Sequence, residues 1–86
     1  MAGEEKKFAK QLMGKTVVTK TGKKLGEIGN LSFETRTGEL IELILRNPTA
    51  FIHGLDLEKK EGDFMIPYGA VVAVGDFIVV SEEDII

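Results

Sequence analysis

The sequence predicts an all-β domain: a small six-stranded antiparallel barrel with a short N-terminal arm or helix. Two observations carry that prediction. Glycines at 22, 26, 29, 38, 54, 62, 69 and 75 punctuate the chain at short intervals. The runs between them are rich in Val, Ile, Leu, Thr and Phe, the pattern of short strands joined by tight turns. With 86 residues there is room for one such domain and no second.

In chain order, residues 1–11 form the arm, in which Phe8 and the following Leu12 and Met13 fall on one helical face. The barrel occupies residues 12–81. Its first strand is placed over Lys15–Lys20, where Thr16, Val17, Val18 and Thr19 are all β-branched. Thr21-Gly22-Lys23 closes a hairpin into a second strand, Lys24–Glu34. Leu25 shares parity with Leu31 and Phe33 whereas Ile28 does not, so a bulge is expected at Gly29. Thr35-Arg36-Thr37-Gly38 turns the chain into a third strand, Glu39–Arg46. Asn47–Gly62 is the longest connection and opens on Asn-Pro. Further strands are placed at Asp63–Pro67, Val71–Val74 and Phe77–Ser81, and residues 82–86 form an acidic tail that adds to a partner as a strand or frays.

Composition excludes several function classes. Eleven basic against fourteen acidic residues give a net charge of −3, with 43% hydrophobic residues, so the chain is neither a disordered tail nor a bulk polycation. Without Cys there is no disulfide framework and no thiolate metal site. The opening MAGEEKKFAKQL has no secretory h-region, and the apolar stretch 69–80 is short and broken by Asp76, so the cytoplasm is the expected compartment. Nineteen Glu and Lys against three Asn and Gln lean toward a heat-adapted source.

The residues offer little for catalysis or cofactor binding, and no catalytic, cofactor or metal residue is assigned. His53 is the only His and has no second group at fixed spacing, so it reads as a surface or packing residue. Asp56, Glu58, Glu61 and Asp63 supply oxygen ligands but lack the calcium-loop pattern, and read as a solvated acidic loop. Gly22 to Gly29 is glycine-rich but lacks the Gly-Lys-Ser/Thr ending of a phosphate loop. No strand interleaves aromatic and basic residues as a base-stacking platform does.

Two surfaces remain as candidates. The third strand puts Ile41, Leu43 and Leu45 on one face, expected in the core, and Leu40, Glu42, Ile44 and Arg46 on the other. This second face is half apolar; either a partner or the N-terminal arm covers Leu40 and Ile44. Charge supplies the second candidate. Residues 1–24 hold seven lysines against two glutamates, a net +5, while residues 25–86 carry a net −8. Lys6, Lys7, Lys10, Lys15, Lys20, Lys23 and Lys24 form either a basic patch for an acidic partner, RNA or another copy, or a solvated face.

The order and spacing of several segments resemble a known family. They are Leu12-Met13-Gly14-Lys15-Thr16-Val17-Val18, Thr21-Gly22-Lys23-Lys24-Leu25-Gly26-Glu27-Ile28, Thr37-Gly38-Glu39-Leu40-Ile41, Phe64-Met65-Ile66-Pro67-Tyr68-Gly69-Ala70-Val71 and Val74-Gly75-Asp76. Together they resemble a stand-alone PRC-barrel domain, which implies a compact six-stranded barrel. Gly14, Gly22, Gly26, Gly38, Ile66, Pro67, Gly75 and Asp76 are then structural motif residues. The family includes photosynthetic reaction-centre H subunits, the C-terminal domain of the ribosome-maturation factor RimM, and short archaeal proteins. The sequence reads as the short archaeal kind, without the membrane helix of the first group or the leading domain of the second. Some short archaeal members serve FtsZ-based cell division. The resemblance therefore implies a non-catalytic protein–protein interaction module: an adaptor at the division site that works with SepF, forms a homodimer or a heterodimer with a paralogous PRC-barrel protein, and meets the membrane only indirectly. The alternative it implies is a ribosome- or RNA-associated assembly factor related to the RimM barrel.

Overall fold

The architecture follows from how one long strand is shared between two ladders. The computed structural model describes residues 9–55 and 57–85. Strand β2 (Lys24–Phe33) pairs through its first half with β1 (Thr16–Thr19) and through its second half with β3 (Leu40–Arg46), antiparallel in both cases. β3 then pairs with β5 (Asp63–Pro67), and β5 with β4 (Glu58–Lys60). On the other side β1 pairs with β7 (Phe77–Val80), which pairs with β6 (Val71–Val74). The result is one seven-stranded sheet in the order β4-β5-β3-β2-β1-β7-β6.

The all-β reading holds, and all six expected strands are present. Three details differ. β4 is an additional strand of three charged, exposed residues, which offers no hydrophobic alternation for a sequence reading to detect. β1 and β7 run parallel, with Thr16 opposite Phe77 and Val17 opposite Ile78, so the sheet is not wholly antiparallel. Sequence neighbours pair through hairpins, but this pair closes across sixty residues of chain, and no local turn announces it. Finally, among the described residues no ladder joins β6 back to β4 or β5, so hydrogen bonding does not close the barrel.

Two bulges set the parity of β2. The expected one is at Gly29, where the register against β3 jumps from Ile28↔Leu45 to Asn30↔Ile44. A second, at Leu25, separates Val17↔Gly26 from Val18↔Lys24. Between them they turn Leu25 and Ile28 inward, both fully buried, and send Leu31 against the same core. A third irregularity, at Ile41 opposite Ser32 and Phe33, corrects the expected facing of β3. The register shifts between Ser32↔Glu42 and Phe33↔Leu40, so Leu43 and Leu45 are buried, Ile41 is 41% exposed, and Leu40 turns back to pack on the core.

The core gathers Leu12, Val17, Leu25, Ile28, Leu43, Ile66, Ile78 and Val80, all fully buried. Leu12 belongs to a helical turn at residues 9–12, where Ala9 is also buried. The expected helical face is only partly seen: Phe8 lies outside the described residues, and Met13 is 45% exposed because the helix has ended. Short 3₁₀ turns occupy Ala50–Gly54, Tyr68–Ala70 and Glu82–Asp84. The last lies in the acidic tail, and Ile85 after it packs against the core; Ile86 lies outside the described residues.

The close approach of β3 to β2 requires glycine at two positions. A Cβ on Gly26 would stand 3.0 Å from the Arg46 carbonyl oxygen, and one on Gly29 would stand 2.9 Å from the Arg46 Cβ. Gly29→Ala is therefore expected to lower unfolding stability by about 1–3 kcal/mol in urea titration. Gly69→Ala, where a Cβ meets nothing within 4 Å, is expected to stay within about 0.5 kcal/mol of the parent.

Candidate interaction surface

β3 lies near the middle of the sheet, held on both sides, and so presents its outer row rigidly. That row is Glu42, Ile44 and Arg46. Ile44 is opposite Asn30 on β2 and Met65 on β5, and Glu42 is opposite Ser32 and Pro67. Ile44 is half-buried, and Met65 is 5% exposed without joining the core cluster. Ile44 and Met65 also line a depression of about 490 Å³ walled by Ser32, Lys60, Glu61 and Asp63. The lining mixes apolar Leu31, Phe33 and Ile44 with charged Lys60, Glu61 and Asp63, a mixture also found where proteins bind one another. Of the four residues expected to meet a partner, Glu42, Ile44 and Arg46 share this face; Leu40 is half-buried against the core beyond the irregularity at Ile41.

Arg46 has a second duty. Its side chain lies over Gly29, with Nη2 3.8 Å from where a Cβ of Gly14 would be. Its Nε is 3.4 Å from Glu27 Oε1, the same oxygen that accepts a hydrogen bond from Asn47 Nδ2 at 3.2 Å. These contacts hold the Glu27 carboxyl below the usual carboxylate range: the Asn47 hydrogen bond lowers it most, partial desolvation opposes, and the hydrogen bond and charge of Arg46 add to the lowering. Asn47 takes a positive φ of 50° here, and Thr49 continues the tie, its N–H donating to the Leu25 carbonyl at 2.9 Å and its hydroxyl to that of Lys24.

The described lysines of the expected basic patch do not all stand on one element. Lys6 and Lys7 lie outside the described residues. Lys10 is on the helical turn beside an apolar depression lined by Met13 and Phe33, while Lys20, Lys23 and Lys24 belong to the β1–β2 hairpin. Lys15 Nζ donates to the Gly75 carbonyl, and Lys23 Nζ sits 5.9 Å from the Phe51 ring centroid. His53 is exposed on the first 3₁₀ turn. Asp56 lies outside the described residues, and among those described no three His, Cys, Asp or Glu gather as a metal site. No helix among them is long and apolar enough to cross a membrane.

The motif glycines fall where the backbone bends. Gly14, Gly22 and Gly38 have φ of 80°, 90° and 77°, Ile66 is fully buried, Pro67 ends β5, and Gly75-Asp76 makes the β6–β7 turn. A family model described as "PRC-barrel domain" matches residues 4–84. The chain belongs to the PRC-barrel family. This PRC-barrel chain is also 26% identical over 81 residues to an archaeal protein, "Uncharacterized protein MJ1118" of Methanocaldococcus jannaschii, covering 94% of this chain and 88% of that one.

Sequence reasoning missed a second apolar surface on this PRC-barrel. The outer side of β1, β7 and β6 aligns Thr16 with Phe77 and Val18 with Val79, and Val79 with Ala73. Phe77 and Val72 are 55% and 50% exposed. The parallel β1–β7 pairing that assembles it is a long-range event, but one signal was legible: no charged residue occurs from Gly69 to Gly75.

Placing Leu40 and Ile44 on different sides predicts different responses to Asp. Leu40→Asp is expected to cost at least about 1 kcal/mol more than Ile44→Asp in urea unfolding, because it sets a carboxylate against the core. Equal losses would contradict the placement.

Proposed function

We propose that this PRC-barrel chain is a binding module with no reaction of its own, an adaptor in archaeal FtsZ-based cell division that acts with SepF and a paralogous PRC-barrel protein at the division site. The observation that carries the reading is the outer row of β3, Glu42, half-buried Ile44 and Arg46, beside a depression that Ile44 lines together with Phe33, Lys60, Glu61 and Asp63. Rigid mid-sheet placement lowers the ordering cost of docking, and the mixed-charge lining supplies specificity. The family match over residues 4–84 and an archaeal relative of similar length are compatible with this setting, which itself comes from the family resemblance.

The RNA-associated reading, by likeness to the RimM barrel, has less support. Among the described lysines, Lys15 and Lys23 already have partners within the fold, and Lys10 stands on a different element from the β1–β2 hairpin. A phosphate-tracking surface needs its cations side by side.

Affinity capture of tagged protein from host lysate, with and without nuclease, tests this reading. The expected result is recovery of SepF and a second PRC-barrel chain, unchanged by nuclease and lost with Ile44→Asp. Recovery of ribosomal proteins that disappears with nuclease or salt would overturn it.

A further inference from the structure

Three parts of the chain that are distant in sequence meet around one cavity of about 250 Å³. The β1–β2 hairpin brings Thr19, Lys23 and Leu25, the first 3₁₀ turn and the residue after it bring Phe51 and Leu55, and the last 3₁₀ turn brings Glu82. The volume falls just below the roughly 300–1,000 Å³ of cavities that hold drug-sized molecules, so it suits a smaller one. Its walls differ in chemistry. Leu25 is fully buried, Leu55 is half-buried and Phe51 is 53% exposed, and together they make an apolar side.

The charged side is held in place by the fold. Thr19, only 2% exposed, accepts a hydrogen bond from the Lys23 N–H at 3.1 Å, and its hydroxyl lies 2.9 Å from that of Thr21. Thr21 in turn donates to Glu82 Oε1 at 3.3 Å. Lys23 Nζ stands 5.9 Å from the centroid of the Phe51 ring. An ammonium and a carboxylate therefore line one cavity, yet no ion pair within 4 Å joins them to each other or, among the described residues, to any other charge. The ring leaves the Lys23 N–H donors open to an anion, and the Glu82 carboxylate keeps acceptor sites beyond the one that Thr21 uses.

That arrangement selects an occupant. A molecule with one charge answers one of the two groups and sets a like charge near the other. A zwitterion answers both, and an apolar side chain on the same molecule covers Leu25, Phe51 and Leu55. Because the hydroxyl chain already fixes Glu82 and the ring already carries Lys23, little ordering remains to oppose binding.

We propose that this cavity binds a free α-amino acid with an apolar side chain, its carboxylate at Lys23, its ammonium at Glu82 and its side chain against Leu25, Phe51 and Leu55. The site goes beyond the binding-module reading and uses none of the outer row of β3.

Titration of the full ¹⁵N-labelled chain with L-alanine, L-leucine and L-phenylalanine, followed through its amide NMR shifts, tests it. The expected result is saturable shifts at Thr19, Lys23, Phe51 and Leu55 with at least one of the three, at a dissociation constant of about 1 mM or tighter. For the tightest of them, its carboxamide, which has no carboxylate, and its deaminated acid, which has no ammonium, are expected to bind about tenfold or more weakly. Lys23→Gln and Glu82→Gln are expected to weaken it by a similar factor, while Lys59→Gln on β4 leaves it unchanged. Lys23 is exposed, and Gln at 82 retains a side-chain oxygen for Thr21, so the fold has no reason to fail; the spectra themselves check it. Absence of saturable shifts with all three amino acids overturns the proposal. So does equal binding of the deaminated acid or the carboxamide, or binding that survives both Gln variants. Each of these outcomes leaves the binding-module reading standing, since that reading fails on the capture experiment alone.

Discussion

β2 has to serve β1 with its first half and β3 with its second, and the corner where Arg46 lies over Gly29 makes both possible. The Gly29 bulge shifts the β2–β3 register after Ile28, and no side chain at 29 blocks the root of Arg46. Gly26 lets the end of β3 and Pro48 pass within van der Waals distance of the β2 backbone. Glu27 and Asn47 then fix Arg46 and the turn after it, while Thr49 takes over the β2 carbonyls that β3 has left behind. The same corner receives the N-terminal segment: Gly14 N–H donates to the Ile28 carbonyl, Ile28 N–H donates to the Lys15 carbonyl, and Leu12 is thereby placed in the core. With one bend, three parts of the chain converge on a core that an 86-residue domain has little area to spare in building.

Much of this was legible in the sequence, for reasons that differ by element. The six longer strands were visible because runs rich in Val, Ile, Leu, Thr and Phe lie between turn glycines, and the Gly29 bulge because Ile28 breaks the parity of Leu25 and Leu31. β3 was read with one facing throughout, and that failed at Ile41 because the bulge there occurs opposite Ser32 and Phe33, a property of the pair and not of either strand. β4 carries three charged residues and owes its strand conformation to pairing with β5, a tertiary contact that overrides weak local preference. The surface was read less well than the fold. Ile44 could be placed from alternation alone, whereas the apolar outer side of β1, β7 and β6 exists only because two strands at opposite ends of the chain lie parallel.

The chemistry follows from where side chains are left over. His53 stands exposed, and the described lysines between residues 10 and 24 do not all share one element, so among the described residues neither builds a concentrated site. What the fold concentrates is exposed apolar area: half-buried Ile44 on the outer row of β3 and an uncharged edge at β6. A small barrel whose strands are fixed from within can present such surfaces without rearranging.

Amide hydrogen exchange under native conditions tests the central claim most directly, because it reads the tie between the N-terminal segment, β2 and the Arg46 corner one N–H at a time. The account predicts that the Ile28 and Gly14 amides exchange only through global unfolding, with the same opening free energy as the amides of Leu43 and Leu45 on β3. Exchange of Ile28 and Gly14 through a separate, lower-energy opening while β3 stays protected would show that the corner is an appendage to the barrel and not the constraint that organises it.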